Sequence, residues 1–213
     1  MSGSTHKTLP GPQGGMILSD HKGETKEDQS FLNRLNFGVF PGVTSSYHLH
    51  HVAAKVVAFA EHLEFGEAYA KQTIENAQHL AQALHDQGFK VIGESLGFTK
   101  SHQVLLAVGQ GKGKQAAKSL EQAGVVTNMN TIPGDTDPLN PSGLRIGTPE
   151  LTRIGMKKEE MKDIAAFYDR VLQKKEDPKK VREDVKSFRA DFQEIHYCFK
   201  KGFRGYDYHT LVD

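Results

Sequence analysis

The feature that most constrains the fold is a regular alternation, after His48, between segments with helical apolar spacing and short apolar runs. In "GEAYAKQTIENAQHLAQALHDQG", apolar residues recur every three or four positions and form one stripe, which Gly88 would end. The stripe comprises Ile74, Ala77, Leu80, Ala81 and Leu84. Because helices that alternate with strands bury their apolar faces against a shared sheet, the pattern predicts an α/β domain.

The same patterns predict the individual elements. Strands are predicted at residues 90–93, 103–108, 125–128 and 144–148. Helices are predicted at residues 50–65, 66–88, 112–124, 157–173 and 177–192, with Pro178 suited to the first turn of the last one.

Residues 1–46 differ in character, because Gly, Pro, Ser and Thr occur throughout and helical spacing is limited to a short turn at 29–35. Such a stretch rarely forms a core of its own, so it is predicted to consist of loops that belong to a larger structure. The chain is therefore expected to have three parts: residues 1–46, an α/β domain over 47–199, and a poorly packed tail over 200–213.

The overall charge excludes several classes of partner. Lys and Arg total 27 against 26 Asp and Glu, so no basic field favours nucleic acid or an acidic membrane surface. No apolar run approaches the length of a membrane span, and the polar beginning is unlike a signal peptide. The one cysteine, Cys198, rules out a disulfide within the chain and favours a reducing compartment. These features predict a cytoplasmic protein that binds neither nucleic acid nor membranes.

One lysine, Lys7, lies between hydroxyl-bearing residues and a Gly/Pro-rich turn in the segment "STHKTLPGPQGG". A lysine amine becomes nucleophilic when it is desolvated or crowded by positive charge, and it can then form an imine with an aldehyde cofactor. Ser4, Thr5 and His6 offer hydrogen-bonding groups beside it. Spacing alone favours a simpler interpretation, in which Lys7 is a solvated lysine near a chain terminus.

A long polar segment, residues 127–152, carries Arg145 in or beside a short predicted strand. The planar guanidinium of an arginine can bind a substrate carboxylate through two hydrogen bonds. The alternative is a surface ion pair, which is the commoner fate of a single arginine. The length of the loop favours a functional role, because long ordered loops are usually functional.

The segment "FPGVTSSYHLHH", residues 40–51, precedes a predicted helix. Its hydroxyls and backbone N–H groups suit a phosphate, although Ser45 and Ser46 could equally cap the helix. Three histidines follow, but no carboxylate or cysteine completes a ligand set at the usual spacing, so no metal site is predicted.

Together, three segments resemble motifs of the serine hydroxymethyltransferase family, which uses pyridoxal phosphate to interconvert serine and glycine. "STHKTLPGPQGGMI" is similar to T-T-H-K-[ST]-L-x-G-P-x-G-G, and "FPGVTSSYHLHHVAA" is similar to F-P-G-x-Q-G-G-P-x-x-H-x-I-A. "NMNTIPGDTDPLNPSGLRIGTPELTRIG" is similar to N-x-N-x-[IV]-P-x-D followed by P-x-x-x-[ST]-G-[IL]-R-[IV]-G-T-P-x-x-T-x-x-G. The three motifs occur in the family's order and cover essentially the whole chain.

The resemblance implies roles for particular residues near the beginning of the chain. Lys7 would carry pyridoxal 5′-phosphate as an imine, and His6 would share its catalytic site. Ser4 would line the cofactor. Ser45 and Ser46 fall in a loop that, in the family, reaches the cofactor phosphate of a neighbouring subunit, which implies a homodimer.

The resemblance also implies the substrates. Arg145 corresponds to the arginine that binds the amino acid carboxylate, and Asn130 falls where the family contacts the folate ring. The implied reaction is cleavage between Cα and Cβ of a β-hydroxy amino acid, with serine, glycine or threonine as the amino acid. Transfer of the one-carbon unit to tetrahydrofolate makes such an enzyme a hydroxymethyltransferase of one-carbon metabolism.

The implied fold is the C-terminal part of a fold-type I pyridoxal-phosphate enzyme. Residues 1–46 would be the end of the large cofactor-binding domain, and residues 47–199 would be the small α/β domain. The family's long N-terminal part, which contacts the pyridine ring and most of the phosphate, is not represented in the sequence. The chain is therefore expected to be inactive alone, and its implied partner is a second copy in a homodimer or a complementing N-terminal chain.

Two departures from the motifs leave alternatives open. Thr44-Ser45-Ser46 replaces the family's Q-G-G, and Gln13 stands where arginine is frequent. These changes favour a folate-independent threonine aldolase or transaldolase, or a methylserine-type relative. Outside enzymology, the alternative is a non-catalytic split subunit that binds a partner chain.

Overall fold

The computed structural model describes residues 1–205, so residues 206–213 of the predicted tail lie outside it. The chain divides into two compact units, the first of which comprises Met1–Glu64 and the second of which begins at Phe65. The division falls inside helix α2 (Leu49–Asp86), which contributes to both units.

The first unit begins with an antiparallel hairpin of strands β1 (Ser2–His6) and β2 (Pro10–Ile17). Helix α1 (Lys26–Phe37) follows, and the side chain of Thr25 caps it by accepting a hydrogen bond from the Asp28 N–H at 3.0 Å. A short helical segment, Gly38–Val43, leads from α1 towards α2.

The prediction that residues 1–46 consist of loops is wrong, because the hairpin and α1 account for much of this stretch. The hairpin is stabilised by Thr5, which is fully buried and donates its hydroxyl to the Pro12 carbonyl at 2.8 Å. Gly and Pro residues have low strand propensity, so the pairing depends on these contacts and leaves little sign in the sequence.

Helix α2 is a single helix of 38 residues, where two helices meeting at Gly66 were predicted. Gly66 is buried within it. A glycine costs a helix about 1 kcal/mol relative to alanine, which packing can offset. A break at Gly66 is thus favoured by propensity but is not required.

The second unit contains a four-stranded antiparallel sheet in the order β3-β4-β6-β5. The strands are β3 (Lys90–Val91), β4 (Gln103–Ala107), β5 (Asn128–Asn130) and β6 (Gly143–Gly147). The helices that follow α2 are α3 (Gly113–Gln122), α4 (Pro149–Arg153), α5 (Met161–Leu172) and α6 (Pro178–Ala190).

Strand β5 begins at Asn128, three residues later than predicted. The Val125 N–H bonds the Leu120 carbonyl at 2.9 Å, and Gly124 adopts a positive φ of 80°, so these residues complete the end of α3. Val126 is exposed, and the ladder starts only where Asn128 pairs with Arg145. The prediction of a strand at 125–128 is therefore wrong except for its last residue.

The core lies on one face of the sheet, where buried side chains alternate along β4 and β6. They are Val104, Leu106, Leu144 and Ile146, and they belong to one cluster with α2, α3 and α5. Ala77, Leu80, Ala81 and Leu84 of the predicted stripe are fully buried, which confirms the core face of α2. Arg145 lies between two buried residues on the opposite, more exposed face of the sheet.

Within residues 1–205, no helix is both long enough and apolar enough to span a membrane. The same residues contain no group of three or more His, Cys, Asp or Glu side chains that could hold a metal ion.

Candidate active site

Lys7 is the first residue of the three-residue loop that joins β1 to β2, between the paired residues His6 and Pro10. Its neighbours are ordered by the hairpin: Ser4 pairs with Gly15, and the Gly14 N–H donates to Nδ1 of His6 at 3.3 Å. Lys7 and His6 are exposed, whereas Ser4 is partly buried. The hairpin thus places an amine, an imidazole and a hydroxyl on one short, well-paired segment.

Two glycines of β2 allow close approach of other groups to this hairpin. A β-carbon at Gly11 would lie 2.6 Å from the Thr5 carbonyl oxygen and 3.2 Å from Cβ of Ala58 on α2. A β-carbon at Gly14 would collide with the end of the Lys55 side chain and lie 3.3 Å from Oγ1 of Thr5. The start of α2 therefore packs against β2, and the GPQGG run of the lysine motif serves this contact.

Lys55 is a residue that the sequence reasoning missed. It is half-buried on α2, and within the described part of the chain its ammonium has neither a hydrogen bond nor an ion pair. The available signal was its position directly after the second family motif, seven residues beyond His48. Its charge adds to that of Lys7 in the same unit.

The serines of the predicted phosphate loop lie between the Gly38–Val43 segment and α2. Thr44 bonds back to the Val39 carbonyl through both its N–H (2.9 Å) and its hydroxyl (2.6 Å). Ser45 and Ser46 are exposed, and neither hydroxyl has a hydrogen-bond partner among residues 1–205. They do not cap α2, so both hydroxyls are free to bind an anion.

In the second unit, Arg145 lies at the middle of β6, directly across from Leu105 on β4 and Asn128 on β5. The Thr127 hydroxyl donates to its backbone carbonyl at 2.9 Å. The guanidinium is exposed and makes no ion pair with any residue from 1 to 205. The structure therefore does not support the alternative that Arg145 is used in a surface ion pair.

Asn130 lies on the same face of the sheet as Arg145, because Asn128 pairs with Arg145 and strand side chains alternate. Its amide donates to the Thr131 carbonyl at 2.6 Å. The sheet thus brings together the two residues predicted to bind substrates.

The loop that leads into β6 is held by Asp135. Its carboxylate accepts hydrogen bonds from the N–H groups of Ser142 (2.8 Å) and Ile132 (3.1 Å). Hydrogen bonds from Ser142, its side chain first, and from Ile132 hold the pKa of the Asp135 carboxyl below its usual range. This bonding closes the base of the loop next to Gly143, where β6 starts.

The predicted site residues are divided between the two units. Ser4, His6, Lys7, Ser45 and Ser46 belong to the first, and Asn130 and Arg145 to the second. The first group supplies an amine, an imidazole and hydroxyls, and the second supplies a free guanidinium and an amide. The first group suits an aldehyde-bearing phosphate, and the second, taken by itself, suits a carboxylate.

Comparisons with known proteins identify the family of the chain. The sequence model of serine hydroxymethyltransferase matches residues 1–168. A serine hydroxymethyltransferase from Thermococcus gammatolerans is 53% identical over 207 residues, which are 95% of this chain and 48% of that protein. One from Methanocaldococcus jannaschii is 48% identical over 209 residues, 95% of this chain and 47% of that protein. The chain thus spans about half the length of the curated relatives it matches.

A solved structure is also similar. The L-threonine transaldolase from Pseudomonas fluorescens, in its internal aldimine state, superposes with a TM-score of 0.79 and 35% identity. The match covers 93% of this chain and 44% of that one. The mixed α/β fold is therefore that of fold-type I pyridoxal-phosphate enzymes. Within that class, the chain belongs to the serine hydroxymethyltransferase family.

Proposed function

We propose that this chain forms part of a pyridoxal-phosphate enzyme that cleaves the Cα–Cβ bond of serine and transfers the one-carbon unit to tetrahydrofolate. The observation that carries this proposal is the β1–β2 hairpin, which holds Lys7 in a three-residue loop next to His6 and Ser4. A lysine held in this way can meet a cofactor in one orientation, which a frayed terminal lysine cannot do.

The residues of the first unit fit the cofactor. The Lys7 amine would bond to the aldehyde of pyridoxal phosphate, with His6 and Ser4 beside it. The free hydroxyls of Ser45 and Ser46 would bind a phosphate, in this subunit or in a neighbouring one as in a homodimer. When bound, pyridoxal phosphate withdraws electrons from the α-carbon of an amino acid, which allows the bond to Cβ to break.

The residues of the second unit would bind the substrates. Arg145, whose guanidinium makes no ion pair within residues 1–205, would bind and orient the carboxylate of serine, glycine or threonine. Asn130, on the same face of the sheet, would contact the folate. We place the boundary between the cofactor-binding part and the small α/β domain at residues 46–47. The single cysteine in the sequence supports a cytoplasmic location.

An exposed apolar stripe on α2 supports the proposal that a partner polypeptide binds to this helix. Its residues are Leu49, Val52, Val56, Phe59 and Leu63, which are between 42% and 90% exposed. They alternate at spacings of three and four, as in a helix seam that packs against another element. Contiguous apolar surface of this kind usually marks an interface.

The occupant we propose is the polypeptide that corresponds to the half of the relatives that this chain does not span. Two observations support this choice over a second copy. The relatives are about twice as long as this chain, and the stripe belongs to the same unit as Lys7.

Mixing the chain with that half of the Thermococcus gammatolerans relative tests the proposal. We expect a complex that binds pyridoxal phosphate and converts serine to glycine in the presence of tetrahydrofolate. Val56→Glu should prevent assembly, whereas Lys118→Glu, at an exposed position of α3, should not. Self-association of the chain alone, unaffected by the added half, would identify a second copy as the occupant and contradict our choice.

A second candidate, a folate-independent threonine transaldolase, is supported by the 35% identity to the Pseudomonas fluorescens transaldolase and by Thr44-Ser45-Ser46. In the same complex, turnover of threonine with an added aldehyde but without folate would favour this reaction. Serine turnover that depends on tetrahydrofolate would favour the hydroxymethyltransferase.

A further inference from the structure

A cluster of polar side chains is buried inside the second unit, where apolar residues would be expected. Thr73, Asn76, Thr148 and Thr152 are all 3% exposed or less. The first two belong to α2, and the other two belong to the segment that follows β6. Buried polar groups are tolerated only when they are hydrogen-bonded, and each of these four side chains has a hydrogen-bond partner.

Asn76 has both ends of its amide occupied. Its nitrogen donates to Oγ1 of Thr152 and to the carbonyl of Met156, both at 2.9 Å. Its oxygen accepts from Nε2 of Gln72 at 3.0 Å. An apolar side chain of similar size would fill the space but would leave the Met156 carbonyl without this donor.

The threonines extend the cluster to the end of β6. The Thr152 hydroxyl donates to the Thr148 carbonyl at 2.9 Å, and the Thr148 hydroxyl donates to the Thr73 carbonyl at 2.8 Å. The Thr148 N–H donates to the His102 carbonyl at 3.1 Å, which prolongs the β4–β6 ladder by one bond. The residue that directly follows β6 is therefore bonded to α2 on one side and to the residue before β4 on the other.

Thr148 is three residues beyond Arg145, and strand β6 is short. A one-residue slip of a strand would move Arg145 to the buried face, because side chains alternate. Burial of Leu144 and Ile146 opposes such a slip. Hydrogen bonds to fixed partners add a directional restraint, which also defines where the end of the strand lies.

We propose that Asn76 is a positioning residue for Arg145: through Thr152 and Thr148 it fixes the end of β6, and hence the place of the guanidinium. This inference rests on the proposed role of Arg145 in binding the substrate carboxylate. Asn76 itself touches neither substrate nor cofactor. The sequence analysis did not identify Asn76, although a polar amide on the otherwise apolar face of α2 was a visible sign of a buried contact.

The test uses the isotope-labelled chain without cofactor or substrate, so its outcome is independent of whether the chain takes part in an enzyme. Asn76→Leu removes the hydrogen bonds and keeps the branching and the number of heavy atoms of the side chain. Leu84→Ala is the control, because it weakens the same helix at a fully buried position outside the polar cluster. Amide exchange at Thr148 and the Nε–H resonance of Arg145 are measured in each variant.

We expect Asn76→Leu to accelerate exchange at Thr148 about tenfold beyond its effect on global unfolding, the result of losing a buried hydrogen bond. It should also shift the Arg145 resonance. Leu84→Ala should lower global stability and leave that resonance unchanged. Equal shifts in both variants, or no shift in Asn76→Leu, would overturn the proposal.

Thr152→Val covers the case in which Asn76→Leu does not fold, because it keeps the shape of the side chain and removes one acceptor of Asn76. A smaller shift of the Arg145 resonance in the same direction is expected, and an unchanged resonance would also overturn the proposal.

Discussion

The α-carbon of Gly11 faces the carbonyl oxygen of Thr5 so closely that a β-carbon at position 11 would lie 2.6 Å from that oxygen. The obstructing atom belongs to the backbone of β1, so it cannot move without opening the hairpin. We expect Gly11→Ala to destabilise the hairpin by about 1–3 kcal/mol, the usual cost of forcing atoms into a packed site.

Gly15→Ala is the matched control for this prediction, because a β-carbon there would lie 3.7 Å from the nearest atom, the Gly3 carbonyl oxygen. Amide exchange along β1 and β2 measures the effect. Equal protection in the two variants would show that the contact between positions 5 and 11 is not needed for the hairpin.

The chemistry assigned to Lys7 predicts selective labelling. When the chain, with the complementing half, is incubated with pyridoxal phosphate and treated with borohydride, the reduced cofactor should be found by peptide mapping on Lys7. Lys7→Ala should lose the label, while Lys22→Ala, an exposed lysine in the same unit, should keep it. A label spread over many lysines and unchanged in Lys7→Ala would mean that no cofactor site forms around the hairpin.

The hydrogen bonds of the Asp135 carboxylate predict that the free energy of unfolding depends on pH in the acid range. Hydrogen bonds from Ser142 and Ile132 lower the pKa of its carboxyl in the folded chain. A group with a depressed folded pKa stabilises the protein above its unfolded pKa, about 3.9 for Asp, and this contribution is lost as the pH falls through the folded pKa. The difference in unfolding free energy between the native chain and Asp135→Asn should therefore shrink as the pH falls below about 4.

Denaturant titrations between neutral pH and the acid range measure this difference. Glu159→Gln, at an exposed position, should show no comparable trend. A constant difference between the native chain and Asp135→Asn across this range would contradict the assigned hydrogen bonds.

The two faces of the four-stranded sheet differ in burial, so substitutions at neighbouring positions of β4 should lower the free energy of unfolding by different amounts. Leu106 is fully buried, whereas its neighbour Leu105 points to the more exposed face across from Arg145. Leu106→Ala should lower the free energy of unfolding by about 2–5 kcal/mol, as cavities in a packed core do. Leu105→Ala should cost clearly less, and chemical denaturation of the two variants gives the comparison.

Much of the second unit could be predicted from its sequence, because apolar periodicity is strong in α3, α5 and α6 and along β4 and β6. Local patterns failed where long-range contacts decide the structure. The continuity of α2 through Gly66 and the late start of β5 both depend on neighbours distant in the sequence. The hairpin of the first unit was missed for the same reason, since Thr5 is buried by contacts that its own segment does not reveal.

The candidate site was accessible from the sequence only where it coincides with family motifs. Lys7 and Arg145 stand in long, specific motifs, and the structure adds that Arg145 makes no ion pair within residues 1–205. Thr148 stands in the third motif and Lys55 directly follows the second, but their significance, like that of Asn76, lies in what they contact and is not revealed by the motifs. A polar residue on an apolar helix face is a sign of such a contact but does not name its partner.

The alternation of β6 places an exposed Arg145 between the buried residues Leu144 and Ile146. A change at position 145 leaves the hydrophobic interior untouched, whereas a truncation one position to either side removes buried packing and lowers the free energy of unfolding. On the role proposed for Arg145, ligand binding and folding can therefore be altered separately by substitutions along one strand.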